Sequence, residues 1–177
     1  MLGCRPEGRN TEQHDMFFAI GEKISDLVPA IKAFWPEAKG NIHVDAWREV
    51  TQVNGHRISV VPKVDPPTKP GTGKLFFLNL GGYKQGEFDE FHYKMLAVAE
   101  NQAGAIQQAK QTAFYKHTGF KGAASHIDDK FGVDVDEVYE VKDILTAEDR
   151  SRYSLQVLAG EGPEDDMHLG YFQLHKL

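Results

Sequence analysis

The 177-residue chain is 41% hydrophobic with a net charge of −6, enough apolar material to bury a core in one ordinary domain or two small ones. Its 20 lysines and arginines are scattered, which excludes the basic face that neutralises phosphates and nucleic acid as a partner with it. No run approaches the ~18 apolar residues of a membrane span and no leader pattern opens the chain, while the lone Cys4 excludes an internal disulfide and fits a reducing, cytoplasmic compartment.

The first predicted strand is "MFFAIGE" (16–22), a short apolar run closed by a small residue and a glutamate. Leu27, Val28, Ile31, Phe34 and Trp35 then fall on helical spacing, so a helix is predicted near 24–35. Pro29 sits near its start, where a missing N–H costs least. After a glycine-containing loop, "HVDAW" (43–47) begins the next strand. "WREVTQV" and "HRISVV" flank Asn54-Gly55, the strongest short-range hairpin signal. Residues 1–62 make one unit, and the Pro- and Gly-rich segment 63–73 reads as a linker.

From residue 74 the pattern starts again. "LFFLNLGGY" (75–83) is a strongly apolar strand leading into a Gly-rich loop. "LGGYKQGEFDEFHYKMLAVAE" (80–100) repeats residues 2–22 without a gap at seven of twenty-one positions, among them Gly3/Gly81, Glu12/Glu90 and His14/His92. "KMLAVAE" (94–100) answers "MFFAIGE", a helix is predicted near 102–117, and "HIDDKF" (126–131) answers "HVDAW" at an offset of 83. "VDEVYEV", a helical turn in "KDILTAEDRSR" and the strand "YSLQVLA" complete the second unit, 74–160.

The expected fold class is α+β: two tandem units with mixed sheets, one helix on the same face of each, and a pseudo-two-fold between them. In each unit a right-handed strand–helix–strand crossover would set the second and third strands parallel. The first unit lacks a counterpart of "KLFFL" (74–78). Either the true start lies upstream of Met1, or "LGYFQL" (169–174), in the C-terminal segment 161–177, fills that place, and the sequence favours a share of both.

Chemistry gathers at the histidines. His14 and His92 open second strands and His43 and His126 open third strands, so each unit should bring two imidazoles to one sheet edge. Asp45 and Asp128 follow their histidines by two positions, and Glu12 and Glu90 precede theirs by two, which keeps them on the same strand face. Imidazole with carboxylate is ligand chemistry for Zn, Fe or Mn, and equally the orienting pair of acid–base catalysis. The competing account is a duplicated folding device in which these side chains pin strand ends. As ligands, the two imidazoles of a unit must lie roughly 3–4 Å apart; beyond about 8 Å, or on opposite faces, only the folding role survives.

"LGCRPEGRNTEQHD" with "IHVDAWREV", together with the diverged second copy, resembles bacterial proteins carrying one or two copies of domain of unknown function 1543, over almost the whole chain. The resemblance implies an apolar strand ahead of the "LG" motif and brings no activity with it. Function is thus expected to be that of a ligand-binding or structural module, with a small metal-dependent or His/Asp acid–base enzyme as the alternative. A divalent metal is the cofactor these residues would take. A small ligand, a protein or a second copy of the chain stay open as partners.

Other motifs carry less. "GTGK" (71–74) lacks the first glycine and the following Ser or Thr of a P-loop, and a strand comes next where a helix is required. "LGCRPEG" and "LGGYKQG" read as turns, Trp35 and Trp47 as packing, and "EGPEDD" (161–166) as a solvated loop. Cys4, whose repeat counterpart is Gly82, reads as a small loop residue and not a nucleophile.

Overall fold

The computed structural model describes residues 1–64, 71–83, 86–112 and 133–177. Among these residues the strands form three sheets, and every neighbouring pair of strands is antiparallel. In the first sheet β1 (Leu2–Cys4) lies between β2 (Gln13–Asp15) and β3 (Ile42–Trp47), and the C-terminal strand β10 (His168–Gln173) pairs with the outer edge of β3. In the second, β6 (Lys74–Tyr83) lies between β7 (Glu90–Ala99) and β8 (Val133–Glu140). The third joins the halves: β4 (Gln52–Val53), β5 (His56–Pro62) and β9 (Tyr153–Ala159). Helices and sheets together make the α+β architecture expected from the sequence.

The two central strands share a register. Gly3 is opposite His14 on one side and His43 on the other, and Gly81 is opposite His92 and Asp134. Second and third strands run parallel in both sheets, as expected, but the first strand is inserted between them.

The sheets built on β1 and β6 each carry a helix on one face. In the first, a 3-10 turn (Ile24–Leu27) runs into α1 (Val28–Phe34), with Pro29 in the opening turn and the Asp26 carboxylate accepting the Lys23 N–H at 3.2 Å. Ile31 is buried there with Leu2, Cys4, Ile42 and Val44. In the second, the Asn101 side chain caps α2 (Gln102–Ala109) by accepting the Gly104 N–H at 3.0 Å. Ala105 and Ala109 are wholly buried against Phe76, Leu78 and Leu80. Alternate residues of β6, Leu75 and Phe77, face the other way, into a core shared with Ile58 of β5 and Val157 of β9. A strand covered on both faces must be apolar at nearly every position, which explains "LFFL".

The Asn54-Gly55 turn has positive φ at both residues, 49° and 72°, as the β4–β5 hairpin requires. β5 pairs with β9 from His56↔Ala159 to Pro62↔Tyr153. The acidic segment before β9 forms two short helices, α3 (Val141–Ile144) and α4 (Ala147–Arg152).

Four expectations change. Residues 16–22 are not a strand: the β1–β2 ladder ends at Leu2↔Asp15, and among the described residues no strand pairs with the backbone beyond Asp15. Phe17 and Phe18 still alternate, packing on Phe34 and Phe77 respectively. "LGYFQL" joins the first sheet outside β3, while β1 itself holds the central place that β6 holds in the second. Gly3, Gly81 and Gly82 are strand residues and not loop glycines; the positive-φ turn glycines are Gly8 and Gly86. The second helix is seen over Gln102–Ala109, and residues 113–117 lie outside the described ones.

Cys4 is likewise no loop residue. It is 1% exposed beneath α1, and burial, helped by the nearby Glu12 and Glu37 carboxylates, pushes its thiol pKa up. A thiol reagent at neutral pH should therefore leave the native protein unmodified and label one cysteine per chain once denaturant is added; full labelling of the native protein would contradict this packing.

Candidate metal centre

On the face of the first sheet away from α1, His14, Gly3 and His43 form one row across β2, β1 and β3. Side chains two apart share a face, which adds Glu12 beside His14 and Asp45 beside His43. The four converge. His43 Nε2 lies 3.1 Å from both Glu12 Oε1 and Asp45 Oδ1, and His14 Nε2 lies 3.7 Å from Glu12 Oε2 and 3.5 Å from Asp45 Oδ2.

Two backbone features make this approach possible. Gly3 has no Cβ, so His43 and Asp45 can lie directly over the β1 backbone; a Cβ there would sit 2.5 Å from Asp45 Oδ2 and closer still to His43 Nε2. Asp45 and Ala46 both direct their N–H groups at the Met1 carbonyl, at 3.0 and 3.5 Å, so two residues of β3 oppose one of β1. Such a bulge re-aims a side chain. It turns the Asp45 carboxylate inward over Gly3, where Oδ2 is buried and accepts no hydrogen bond. A buried carboxylate oxygen without a donor costs on the order of 1–3 kcal/mol unless a cation or water serves it.

His43 is the deepest member, its side chain only 8% exposed. Tyr171 of β10 covers it, ring centroids 4.2 Å apart, and His168 of the same strand stacks on Trp47 at 3.9 Å. His14 and Glu12 form the open side, at 41% and 44% side-chain exposure.

The second sheet repeats the arrangement with altered donors. Ligand atoms of Glu90, His92 and Asp136 lie within 4.8 Å of one another, with His92 Nε2 3.4 Å from Asp136 Oδ2. The β6–β8 register shifts between Asn79 and Leu80, which makes Asp136 the extra residue of a bulge. A Cβ on Gly81 would stand 2.8 Å from Asp136 Oδ1 and nearer still to Oδ2. Tyr83 lies opposite Glu90 and hydrogen-bonds its carboxylate, which raises the phenol pKa.

Of the residues singled out in the sequence, His14, His43, Asp45 and Glu12 meet in one cluster, and His92 and Glu90 in the other. His126 and Asp128 lie outside the described residues. The offset of 83 that matched them to His43 and Asp45 does not describe the sheets. Asp134 occupies the register position of His43 and Asp136 that of Asp45, so "VDVDEV" answers "IHVDAW" at an offset of 91. Asp136, the two floor glycines and Tyr171 were not singled out from the sequence. The spacing Val135…Val138, like Val44…Trp47, signals Asp136: apolar residues three apart in a strand mark an inserted residue, and that residue is the aspartate.

The fold is similar to the crystal structure of a protein Il1583 from Idiomarina loihiensis, with a TM-score of 0.55 and 23% identity over 98% of this chain and 92% of that one. Identity at that level is a likeness of fold. No curated protein matches this sequence, and no helix among the described residues is long and apolar enough to cross a membrane. Residues 9–60, which carry Glu12, His14, α1, His43, Asp45 and the Asn-Gly hairpin, match the family model of the Domain of Unknown Function DUF1543.

Proposed function

We propose that the chain is a binding module made by duplication of a DUF1543 unit, and that it holds a divalent metal ion, of the Zn²⁺ class, at Glu12, His14, His43 and Asp45. The observation that carries this reading is the pair of carboxylates shared by two imidazoles. Ligand atoms about 2.1 Å from a tetrahedral ion stand about 3.4 Å from each other, and each imidazole nitrogen lies 3.1 to 3.7 Å from one oxygen of each carboxylate, His43 from Glu12 Oε1 and Asp45 Oδ1 and His14 from Glu12 Oε2 and Asp45 Oδ2. One N–H on His43 Nε2 makes a good hydrogen bond to a single oxygen, whereas two oxygens sit at 3.1 Å from it. A metal ion serves all of them, and it also meets the need of the orphaned Asp45 Oδ2.

Binding is favoured over acid–base catalysis because His43 is closed off beneath Tyr171, where a substrate proton has little access. The single buried thiol accords with a reducing, cytoplasmic setting.

Calorimetric titration of the metal-free protein with Zn²⁺ tests the reading. Tight uptake is expected at the first-sheet cluster, weakened at least 100-fold in His43→Ala and about 10-fold or more in Asp45→Asn. Zn²⁺ affinity that is unchanged in both variants, each still folded by circular dichroism, would remove the reading.

A further inference from the structure

The geometry points to a second cation site at Glu90, His92 and Asp136, one that takes a harder ion of the Mn²⁺ class and leaves coordination positions open to water. It stands on its own residues and so does not depend on the first cluster binding Zn²⁺.

The donors form a built arrangement. Glu90 and His92 come from β7 and Asp136 from β8, with Gly81 of β6 between them. Both partner strands are aimed there by the backbone: the bulge inserts Asp136, and the missing Cβ of Gly81 leaves its carboxylate room over the central strand. Tyr83 lies opposite Glu90 in the β6–β7 ladder, on the face that Gly81 and His92 share. Asn79, two residues from Gly81 on the same strand face, donates Nδ2–H to Glu137 at 2.7 Å and keeps a buried Oδ1 with no partner. A water in the outer shell of an ion would meet that need.

The change of donors sets the preference. His43 lies opposite Gly3, but the register gives the corresponding position opposite Gly81 to Asp134. The second set therefore contains one imidazole and two carboxylates, with a third acidic residue at the neighbouring register position. Replacing imidazole by carboxylate oxygen moves affinity away from Zn²⁺ and towards Mn²⁺ and Mg²⁺. His92 and Asp136 side chains are 37% and 27% exposed, so solvent reaches the ion.

The test uses the full-length, metal-free protein, with Mn²⁺ alone as the probe, read as loss of the free-ion EPR signal. The titration is run with and without one equivalent of Zn²⁺. One Mn²⁺ should bind in both cases, at least 10-fold more weakly in Asp136→Asn and in Glu90→Gln, while Zn²⁺ uptake stays as in the native chain. Two variants guard against misfolding, since Glu90 is a solvent-exposed strand-end residue. Absence of Mn²⁺ binding at millimolar concentration, or equal binding by both variants, overturns the site. Displacement of the Mn²⁺ by one equivalent of Zn²⁺ overturns the preference. If Zn²⁺ fails to bind the first cluster, the Zn²⁺-free titration still reads the second.

Discussion

Deleting residues 168–177 should lower stability by about 3–5 kcal/mol and raise the exposure of His43. β10 is the outermost strand of its sheet, yet it and the 3-10 turn after it carry core side chains: Leu174 is 8% exposed, and Phe172 and Leu177 pack on the cluster formed by Leu2, Ile31, Ile42 and Val44. Burying one such side chain contributes about 1.5–3 kcal/mol, and two of these three are only partly covered, so their sum falls in the stated range. Without β10, β3 becomes a bare edge carrying His43. A frayed tail would cost almost nothing on removal. Urea unfolding of the truncated chain decides between these, and a midpoint equal to that of the full chain would mean that β10 is not part of the folding unit. Tyr171→Ala is the contrasting case. Tyr171 is 67% exposed, so its loss should cost less than about 1 kcal/mol while uncovering the His43 ring.

Why was the first cluster legible in the sequence and the second only half so? Period-two spacing carried Glu12 to His14 and His43 to Asp45, and the β1 register brought the two pairs together as that spacing implies. The constant offset from residue 2 to residue 22 transferred Glu12 and His14 correctly onto Glu90 and His92, whose strands pair in the same register. It broke down at the third strand. The repeated letters H-x-D outweighed the apolar pattern, although what the sheet requires at β8 is Val135 and Val138 on the α2 face, with Asp136 and Glu137 on the other. The open face of the sheet accepts either a histidine or an aspartate, though as donors they differ; a valine under a helix is not interchangeable with a lysine. "HIDDKF" would have placed Lys130 where Val138 stands.

The run 16–22 failed for a different reason. Its apolar alternation is real, since Phe17 and Phe18 face opposite sides, but strand identity needs a neighbour to share hydrogen bonds, and periodicity says nothing about one. The glycines were misread because a Gly-rich stretch between apolar runs looks like a turn. Here the glycine is required by side chains on the flanking strands and not by its own φ.

That distinction leads to the second large effect. Gly3→Ala should lower stability by about 1–2 kcal/mol and abolish Zn²⁺ uptake, whereas Gly81→Ala should leave stability nearly unchanged and abolish only Mn²⁺ binding. Neither glycine has a positive φ, so alanine brings no backbone strain, and in a strand interior it would by itself stabilise by roughly 0.5–1 kcal/mol. The sign then depends on what the new methyl meets. Over β1 it meets His43, whose side chain is 8% exposed and pinned under Tyr171, together with the buried Oδ2 of Asp45. Neither can retreat without opening the β10 cover, and overpacking of that kind costs about 1–3 kcal/mol. Over β6 the nearest atoms it meets are those of the Asp136 carboxylate, the far end of a side chain 27% exposed, on the solvent side of the sheet. Its displacement spares the fold and scatters the ligands. Denaturant unfolding of both variants in chelator, beside Zn²⁺ and Mn²⁺ titrations, reads the contrast. Equal stability loss in the two would show that the floor glycines serve the backbone alone, and retained Zn²⁺ affinity in Gly3→Ala would show that His43 and Asp45 do not meet over β1 in solution.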